Sequence, residues 1–470
     1  MGGRLTLGEV VGILQPLRAG GPFPPRTPIG EVTTDSREAG AGALFVALPG
    51  ERADGADFVG EAFRNGALAA VVGEEGARKV PPELFGERPV FVVRNAMEAL
   101  GDLARAHRER FRHVPLAGIT GSSGKTTTKE MLCAFLSRGL RVLKNPGNRN
   151  NLIGMPLALL GLSGEHDAAV LEMGTNRPGE IRRLCEIAQP DVGIVTNIGP
   201  AHLEGLVSLE GVAREKGDLF RSLGAGGTAV VNATDLRVVR EANRTPAGKV
   251  YYGAPMSEFS GRILSQEDEG MWIAVRTPSG EFRTHLPVPG EHNLLNAVAA
   301  AAAAYTLGLR PPEMADGLAG LPGTTGRLRP VPLRGGGLLL DDTYNANPAS
   351  MEAAIRSLRS LRRGRRAVAV LGDMRELGPV SPSAHYRIGR LLPAAGVDLL
   401  FTHGEQAAQI ARGALEGGMD PEAVMHIGEK AVLVGEVLAA VREGDIVLVK
   451  ASRGVRLEEV SEAVERRERA

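Results

Sequence analysis

Cysteine and long apolar runs are scarce in this 470-residue sequence, and each shortage excludes a class of protein. Two cysteines, Cys133 and Cys185, are too few for a disulfide framework. Their apolar helical contexts predict buried free thiols in a reducing cytoplasm. The longest run of small apolar residues, 297–304, is too short to cross a bilayer and predicts a tightly packed helix. The N-terminus shows no basic segment followed by an apolar one, so we expect a cytoplasmic protein without signal peptide or membrane anchor.

Net charge is also lacking, because 55 basic residues balance 55 acidic ones. This balance excludes the basic footprint of a nucleic-acid-binding protein. Lysine itself is rare, since only eight of the basic residues are lysine and the rest are arginine. Where arginine is the default cation, a lysine in a motif indicates a place where a guanidinium would not serve. The lysines are Lys79, Lys125, Lys129, Lys144, Lys216, Lys249, Lys430 and Lys450.

Apolar strands alternate with helical patterns along most of the chain, which predicts an α/β fold of parallel sheets covered by helices. We predict three domains: residues 1–108, residues 109–327 and residues 328–470. Segment 262–289 predicts a hairpin insertion, and segment 322–326 a hinge. Ligands of such folds bind at the carboxyl ends of the strands.

A glycine-rich segment follows one predicted strand and opens a helix, which is the arrangement of a phosphate-binding loop. Lys125 would reach the β- and γ-phosphates, and the Thr126 hydroxyl would join Mg²⁺. The strict pattern requires glycine where Ile119 stands, so the loop is a variant. A switch protein, a kinase and a ligase all fit it. The phosphate-binding residues would be Gly121, Ser122, Ser123, Gly124, Lys125, Thr126 and Thr127.

Two further polar residues follow predicted strands at the same sheet edge. Glu172 ends one strand, and His202 comes shortly after another. A carboxylate is an ordinary magnesium ligand and an imidazole an uncommon one. Together with the phosphate loop, they predict a metal site beside the bound phosphates.

With these residues in view, the sequence resembles the Mur ligase family over nearly its whole length. The resemblance implies three domains: an N-terminal UDP-substrate-binding domain, a central P-loop ATPase domain and a C-terminal Rossmann-like domain that binds an incoming dipeptide. The segments that carry it are 120–127, 148–151, Glu172, His202, 213–217, 290–297 and 326–328.

Three more segments resemble the members that add D-alanyl-D-alanine to UDP-N-acetylmuramoyl-tripeptide. They are 342–348, 372–378, and 35–37 taken with 50–55. The Asp-Asn-Pro-Arg element typical of the diaminopimelate-adding relative is absent. Two alternatives stay open: another Mur ligase or a folylpolyglutamate synthase-like enzyme, and a nucleotide-binding switch that is not a ligase.

The resemblance implies that ATP phosphorylates the peptide carboxylate and that the dipeptide amine then attacks the acyl phosphate. Lys125, Lys216 and His202 would be catalytic. Thr126 and Glu172 would hold one Mg²⁺ and His202 a second, with help from a carbamate formed by CO₂ on Lys216. Burial would supply the neutral amine that this modification needs. The alternative for Lys216 is a solvated lysine on a helix surface.

The resemblance also assigns contact residues, each of which has a plain alternative as a helix cap, turn or linker charge. Arg453 and Arg456 could clamp the dipeptide carboxylate. We further expect a monomer acting in peptidoglycan synthesis, and hence in cell shape and division. The ATP contacts would be His292, Asn293, Asn296, Arg327 and Asp342, and the substrate contacts Ser36, Arg37, Asn151, Tyr344, Asn345 and Asn347.

Overall fold

The structure, a computed structural model, describes residues 5–50, 53–321, 323 and 325–469. Residues 51–52 of the predicted UDP-binding motif lie outside the described residues, as do Pro322 and Thr324 of the predicted hinge. Within the described part, no helix is long and apolar enough to span a membrane.

The first sheet has five strands in the order β1-β5-β4-β3-β2, all parallel except β1. Four helices accompany it. The strands are β1 (Arg18–Gly20), β2 (Val32–Thr33), β3 (Leu44–Ala47), β4 (Ala69–Gly73) and β5 (Val90–Val93), and the helices are α1 (Leu7–Leu14), α2 (Val59–Asn65), α3 (Pro82–Glu87) and α4 (Ala96–Arg110).

The second sheet has six parallel strands in the order β11-β10-β9-β6-β8-β7. Its strands are β6 (Leu116–Thr120), β7 (Val142–Lys144), β8 (Ala168–Glu172), β9 (Val192–Val195), β10 (Thr228–Asn232) and β11 (Gly248–Tyr252). Its helices are α5 (Lys125–Leu136), α6 (Gly154–Leu159), α7 (Glu180–Ala188), α8 (Leu203–Leu206), α9 (Leu209–Arg221), α10 (Leu236–Ala242), α11 (Glu291–Thr306) and α12 (Pro311–Met314).

Both faces of this central sheet are covered, which explains why its strands are continuously apolar. Alternate residues of β8 belong to opposite cores: Val170 packs with the α5 and α11 side, and Leu171 with the α7 and α9 side. Every alanine of 297–304 in α11 is fully buried, as the tightly packed helix requires. Cys133 and Cys185 are buried and free, which confirms that prediction.

The predicted hairpin insertion is a three-stranded antiparallel sheet, because a strand precedes the two that were expected. Its strands are β12 (Ser260–Gln266), β13 (Met271–Thr277) and β14 (Gly280–Leu286). Asp268, in the turn after β12, accepts two hydrogen bonds from the Arg365 guanidinium at 2.7 and 2.6 Å. The insertion therefore contacts the C-terminal part of the chain.

The third sheet has six strands in the order β15-β16-β20-β17-β18-β19, parallel except for β15. The α/β fold class with three domains is therefore confirmed, while the exact domain boundaries stay a prediction. The strands are β15 (Arg329–Pro332), β16 (Leu338–Asp342), β17 (Ala367–Gly372), β18 (Leu399–His403), β19 (Val424–His426) and β20 (Ile446–Lys450), and the helices are α13 (Pro348–Leu361), α14 (Ser381–Ala395), α15 (Ala408–Glu416), α16 (Lys430–Ala440) and α17 (Glu458–Arg469).

Candidate active site

The phosphate loop connects β6 to α5 and turns at Gly124. Its φ of 79° is left-handed, a conformation that favours glycine. A Cβ there would stand 2.5 Å from Asn296 Oδ1 of α11, so this helix closes against the loop. Lys125 Nζ donates to the Gly121 carbonyl at 2.8 Å. Burial lowers the pKa of the Lys125 ammonium, and the Glu172 carboxylate partly opposes this.

Glu172 ends β8 and joins the loop to two other segments. Thr126 Oγ1 donates to Glu172 Oε2 at 2.6 Å, and Asn150 Nδ2 donates to Oε1 at 2.7 Å. Arg327 Nη2 donates to Thr126 Oγ1 at 2.8 Å. The hydroxyl and carboxylate predicted to bind magnesium therefore lie together, and the predicted hinge arginine reaches them.

Lys129, which the sequence analysis did not select, lies fully buried behind this network. Its Nζ donates to the carbonyls of Asn145 and Gly147 at 2.8 and 2.9 Å and lies 4.0 Å from Glu172 Oε2. The Asn145 side chain accepts from the Glu172 backbone N–H at 2.9 Å. Lys129 thus holds the loop that carries Asn150, and the rarity of lysine was a signal that could have found it.

His202 lies just before α8 with a left-handed φ of 54°. Its Nδ1 lies 2.5 Å from Glu376 Oε2, across 174 residues of sequence. This hydrogen bond is the main cause that lowers the pKa of Glu376. Glu376 belongs to segment 372–378, but sequence reasoning gave it no role.

Lys216 lies in α9 with only 1% of its surface exposed. Burial lowers the pKa of its ammonium well below the usual value, and nearby Lys125 lowers it further. This buried environment does not agree with the alternative in which Lys216 is a solvated lysine on a helix surface. Lys216 is nevertheless not among the described residues that line the cavity between the central and C-terminal sheets, which is described below.

The first turn of α11 supplies the predicted adenine-side residues. Asn293 Nδ2 donates to the Pro289 carbonyl at 2.7 Å, and Asn296 Nδ2 donates to Asn293 Oδ1 at 3.2 Å. Burial lowers the pKa of His292 to about 4, with further lowering by Lys450 and Arg356. The half-buried His292 ring is therefore neutral at pH 7.

Asp342 and Lys450 end two neighbouring strands of the third sheet, β16 and β20. Lys450 Nζ lies 2.7 Å from Asp342 Oδ2 and donates to the Asn345 carbonyl at 2.8 Å. Burial raises the pKa of Asp342, and Lys450 opposes the rise. Lys450 is a second buried lysine that the sequence analysis did not select.

The segment after β16 faces the phosphate loop. Asn347 caps α13 and its Nδ2 donates to the Ser122 carbonyl at 3.3 Å. The Tyr344 ring lies under two guanidinium groups, with Arg327 Cζ 4.0 Å and Arg453 Cζ 5.2 Å from its centroid. The predicted dipeptide residues and the predicted phosphate residues therefore border the same space.

That space is a cavity of about 620 Å³ between the central and C-terminal sheets. It brings together most predicted site residues and adds Asn150, Arg356 and Lys450. Gly121, Lys216, Ser36 and Arg37 do not line it. The predicted residues that do are Ser122, Ser123, Gly124, Lys125, Thr126, Thr127, Asn151, Glu172, His202, His292, Asn293, Asn296, Arg327, Asp342, Tyr344, Asn345 and Asn347.

The N-terminal candidates form a separate group near β2. Ser36 Oγ donates to Glu61 Oε2 at 2.9 Å. The Arg37 guanidinium forms two hydrogen bonds with Asp35, at 2.9 and 2.5 Å. Ser36 and Arg37 thus bond to other residues of the N-terminal domain, and neither lines the central cavity.

The donor set at the cavity suits a hard cation through its oxygens. Among the described residues, no three His, Cys, Asp or Glu side chains come together as a metal site. The predicted donors that line the cavity are the Thr126 hydroxyl, the Glu172 carboxylate and the His202 imidazole. Phosphate oxygens would have to supply further ligands, as is usual for Mg²⁺.

Comparison with known proteins agrees with this arrangement. Three family models match in order along the chain: the Mur ligase family catalytic domain at residues 28–108, the Mur ligase middle domain at 119–304, and the Mur ligase glutamate ligase domain at 326–453. A UDP-N-acetylmuramoyl-tripeptide--D-alanyl-D-alanine ligase of Escherichia coli is 38% identical over 441 residues, which are 92% of this chain and 93% of that protein.

Solved structures give the same result. A crystal structure of MurF from Acinetobacter baumannii superposes with a TM-score of 0.86 at 33% identity, covering 98% of this chain and 99% of that one. A MurF ligase from Thermotoga maritima in complex with ADP has a TM-score of 0.81 at 31% identity, covering 94% and 98%. With its three domains and more than nine-tenths of its length matched in this way, the chain belongs to the Mur ligase family.

Proposed function

We propose that this chain is the ATP-dependent ligase that joins D-alanyl-D-alanine to the C-terminal carboxylate of UDP-N-acetylmuramoyl-tripeptide in peptidoglycan precursor synthesis. The observation that carries the proposal is the shared cavity. The phosphate loop of one domain and the Tyr344–Asn347 segment of another border it together. The 38% identity to an enzyme of that name supports the choice of substrates.

The first chemical step brings two anions together, the peptide carboxylate and the γ-phosphate of ATP, so charge neutralisation is its main requirement. The carboxylate oxygen attacks the γ-phosphorus and ADP leaves. Lys125, at the start of α5, would withdraw from the Gly121 carbonyl to contact the transferred phosphate. Arg327, now bound to Thr126, lies near enough to contribute a second positive charge.

The second step is attack of the dipeptide amine on the acyl carbon, which expels phosphate and forms the amide. The Tyr344–Asn347 segment would hold the dipeptide beside the phosphate loop, and Arg453 at the Tyr344 ring would face its carboxylate. His292, Asn293, Asn296 and Asp342 would line the nucleotide. Ser36, Arg37 and Asn151 would contact the UDP-linked substrate.

We propose Mg²⁺ as the cation of this site, held by Thr126 and Glu172, with a second ion at His202. When bound, Mg²⁺ would neutralise phosphate charge during the transfer. A carbamate on Lys216 is part of the proposal, and the lowered pKa of this lysine supports it because CO₂ reacts with a neutral amine. Lys216 does not line the cavity here, so the carbamate would have to extend from Lys216 into the cavity to reach a metal.

The remaining points of the proposal concern the cell. We propose a monomer located in the cytoplasm, where ATP is available and where the free buried thiols are expected. Roles in cell shape and division would follow from peptidoglycan synthesis.

A substrate-matrix assay tests the proposal. Phosphate release should require ATP, UDP-N-acetylmuramoyl-tripeptide and D-alanyl-D-alanine together, and each omission should abolish it. Turnover with a UDP-muramoyl dipeptide and diaminopimelate would instead indicate another Mur ligase, and turnover with a folate and glutamate a folylpolyglutamate synthase-like enzyme. Slow phosphate release that no acceptor stimulates would indicate a nucleotide switch.

A further inference from the structure

The contact between His202 and Glu376 connects the central and C-terminal domains beside the cavity. We propose that Glu376 is a positioning residue that fixes the His202 imidazole for the metal–nucleotide complex, so that the C-terminal domain completes the metal site when it docks. This inference rests on the proposed function and names a residue that acts through His202.

The geometry of the imidazole supports this role. Glu376 Oε2 occupies Nδ1 at 2.5 Å, which leaves Nε2 as the nitrogen available to a metal. A histidine that binds a metal commonly donates its other N–H to a carboxylate, which fixes the tautomer and the ring orientation. Here the carboxylate comes from the loop after β17, whereas the imidazole belongs to the loop after β9.

The backbone makes the contact a two-point attachment. The Leu203 N–H donates to the Glu376 carbonyl at 2.9 Å, immediately beside the side-chain contact. Both loops are thus held at fixed separation. A carboxylate delivered in this way is present only when the two domains are together.

The backbone conformation also supports a positioning role for Glu376. Glu376 has a φ of 63° and His202 a φ of 54°, both in the left-handed region. Glycine or asparagine would adopt this conformation at lower cost. Histidine is among the residues enriched in this region, so the strain lies mainly at Glu376, and it supports a functional role for the Glu376 side chain.

Stability alone does not explain the pair. The Glu376 side chain is 51% exposed and that of His202 is 22% exposed. A carboxylate–imidazole contact as exposed as this contributes little to folding stability, because water screens it. The pair therefore occupies strained backbone at a place where its stabilising effect is small.

The test measures metal binding without turnover. Wild-type protein, Glu376→Gln, Glu376→Asn and His202→Ala are titrated with Mn²⁺ in the presence of a non-hydrolysable ATP analogue, and bound Mn²⁺ is followed by electron paramagnetic resonance. Loss of an outer-shell partner typically costs about 10- to 100-fold in metal affinity, so we expect that loss in both Glu376 variants. Glu204→Gln removes a neighbouring exposed carboxylate, whereas the described side-chain partner of His202 is Glu376, and the affinity of this variant should equal that of the wild type.

Two further readouts separate positioning from a structural role. The double variant His202→Ala/Glu376→Gln should bind Mn²⁺ no more weakly than His202→Ala alone. Glu376→Asn should have a melting temperature at or above that of the wild type, because asparagine tolerates the left-handed backbone. A lowered melting temperature with unchanged Mn²⁺ affinity would overturn the proposal in favour of a domain contact.

Independent losses that multiply in the double variant would also overturn it. A wild-type protein that binds no Mn²⁺–nucleotide complex would instead contradict the proposed function itself, so the two failures are distinguishable.

Discussion

Lys216 of the central domain and Lys450 of the C-terminal domain are both buried, and the two lysines differ in what surrounds the amino group. Lys216 and Lys450 are equally buried, each 1% exposed. Lys450 faces the Asp342 carboxylate at 2.7 Å. Lys216 has another cation, Lys125, as the strongest charged influence on its pKa, which is lowered.

The comparison shows that burial alone does not decide what a lysine can do. Burial disfavours the charged form of any lysine, but a carboxylate at contact distance restores it. The Lys450 side chain contacts both Asp342 and the Asn345 carbonyl, so it holds the loop after β16 in place. A lowered pKa, as at Lys216, increases the fraction of neutral amine, and the neutral amine is the form that can react with CO₂.

The largest expected effect concerns Lys216. If it carries a carbamate, Lys216→Ala and Lys216→Arg should both lose activity by about a thousandfold, the upper end of the loss for one electrostatic group in an active site. Short carboxylic acids should restore part of the activity of Lys216→Ala by replacing the missing carboxylate. Steady-state phosphate release measures both effects.

Lys216→Glu adds a control of opposite charge, which should retain more activity than Lys216→Arg. A plain structural lysine would give the reverse order, with arginine tolerated and no response to added acid. A fully active Lys216→Arg enzyme would contradict the carbamate on Lys216, and with it the proposed difference between Lys216 and Lys450.

Lys450 should behave as a paired ion. Lys450→Met leaves the buried Asp342 carboxylate without its partner and should destabilise the protein by about 3 kcal/mol, the low end for breaking a buried pair. Lys450→Met/Asp342→Asn should recover most of this loss. Denaturant unfolding measures the free energy of unfolding of both variants.

Lys430→Met is the matched control, because Lys430 pairs with Glu459 at the surface and that pair contributes little. Equal stability losses in Lys430→Met and Lys450→Met would contradict the paired-ion role of Lys450.

Lys125 belongs to the environment of Lys216, because it lowers the pKa of that lysine, and it also lies in the phosphate loop. Lys125→Ala should lower turnover by about a hundredfold and leave the fold intact. Lys144→Ala, which removes a half-exposed lysine paired with Glu130, should stay near wild-type turnover. Near-normal phosphate release by a folded Lys125→Ala protein would contradict the ATP site.

The smallest expected effect is a pH dependence of stability from His292. Its pKa is about 4 in the folded protein and near 6.5 when unfolded, so the unfolded chain binds more protons between these values. Stability should therefore fall as pH drops from about 6.5 to 4. His292→Gln should reduce the fall between pH 7 and pH 5 by an amount on the order of 1 kcal/mol. An identical pH profile in wild type and His292→Gln would show that the ring is not held neutral.

The sequence was sufficient to predict the fold class and the phosphate-loop residues, which lie within one motif. It also indicated which residues would lie close together at one sheet edge, because alternating strands and helices bring the strand ends to that edge. Thr126, Glu172 and His202 line one cavity, as this argument expects, and their roles as metal ligands stay a prediction. Lys129 and Lys450 were missed, although the rarity of lysine could have indicated both. Lys216 is buried, as expected. Helix periodicity did not indicate that it would lie outside the cavity lining.

Contacts between domains could not be predicted. Glu376 and His202 are 174 residues apart, and their pairing depends on how two separately folded sheets pack. The same holds for Arg365 and Asp268, which join the C-terminal domain to the antiparallel insertion. Each residue looks like an ordinary surface charge until the domain arrangement is known.

The most direct test of the account follows the oxygen atoms of the peptide carboxylate. UDP-N-acetylmuramoyl-tripeptide labelled with ¹⁸O at its terminal carboxylate is incubated with ATP, D-alanyl-D-alanine and the enzyme, and both products are analysed by mass spectrometry. Because the carboxylate attacks the γ-phosphate and phosphate later leaves, the released phosphate should carry one ¹⁸O and the peptide product should contain the added dipeptide. Phosphate without label, or label in phosphate without the new amide, would contradict ligation through an acyl phosphate.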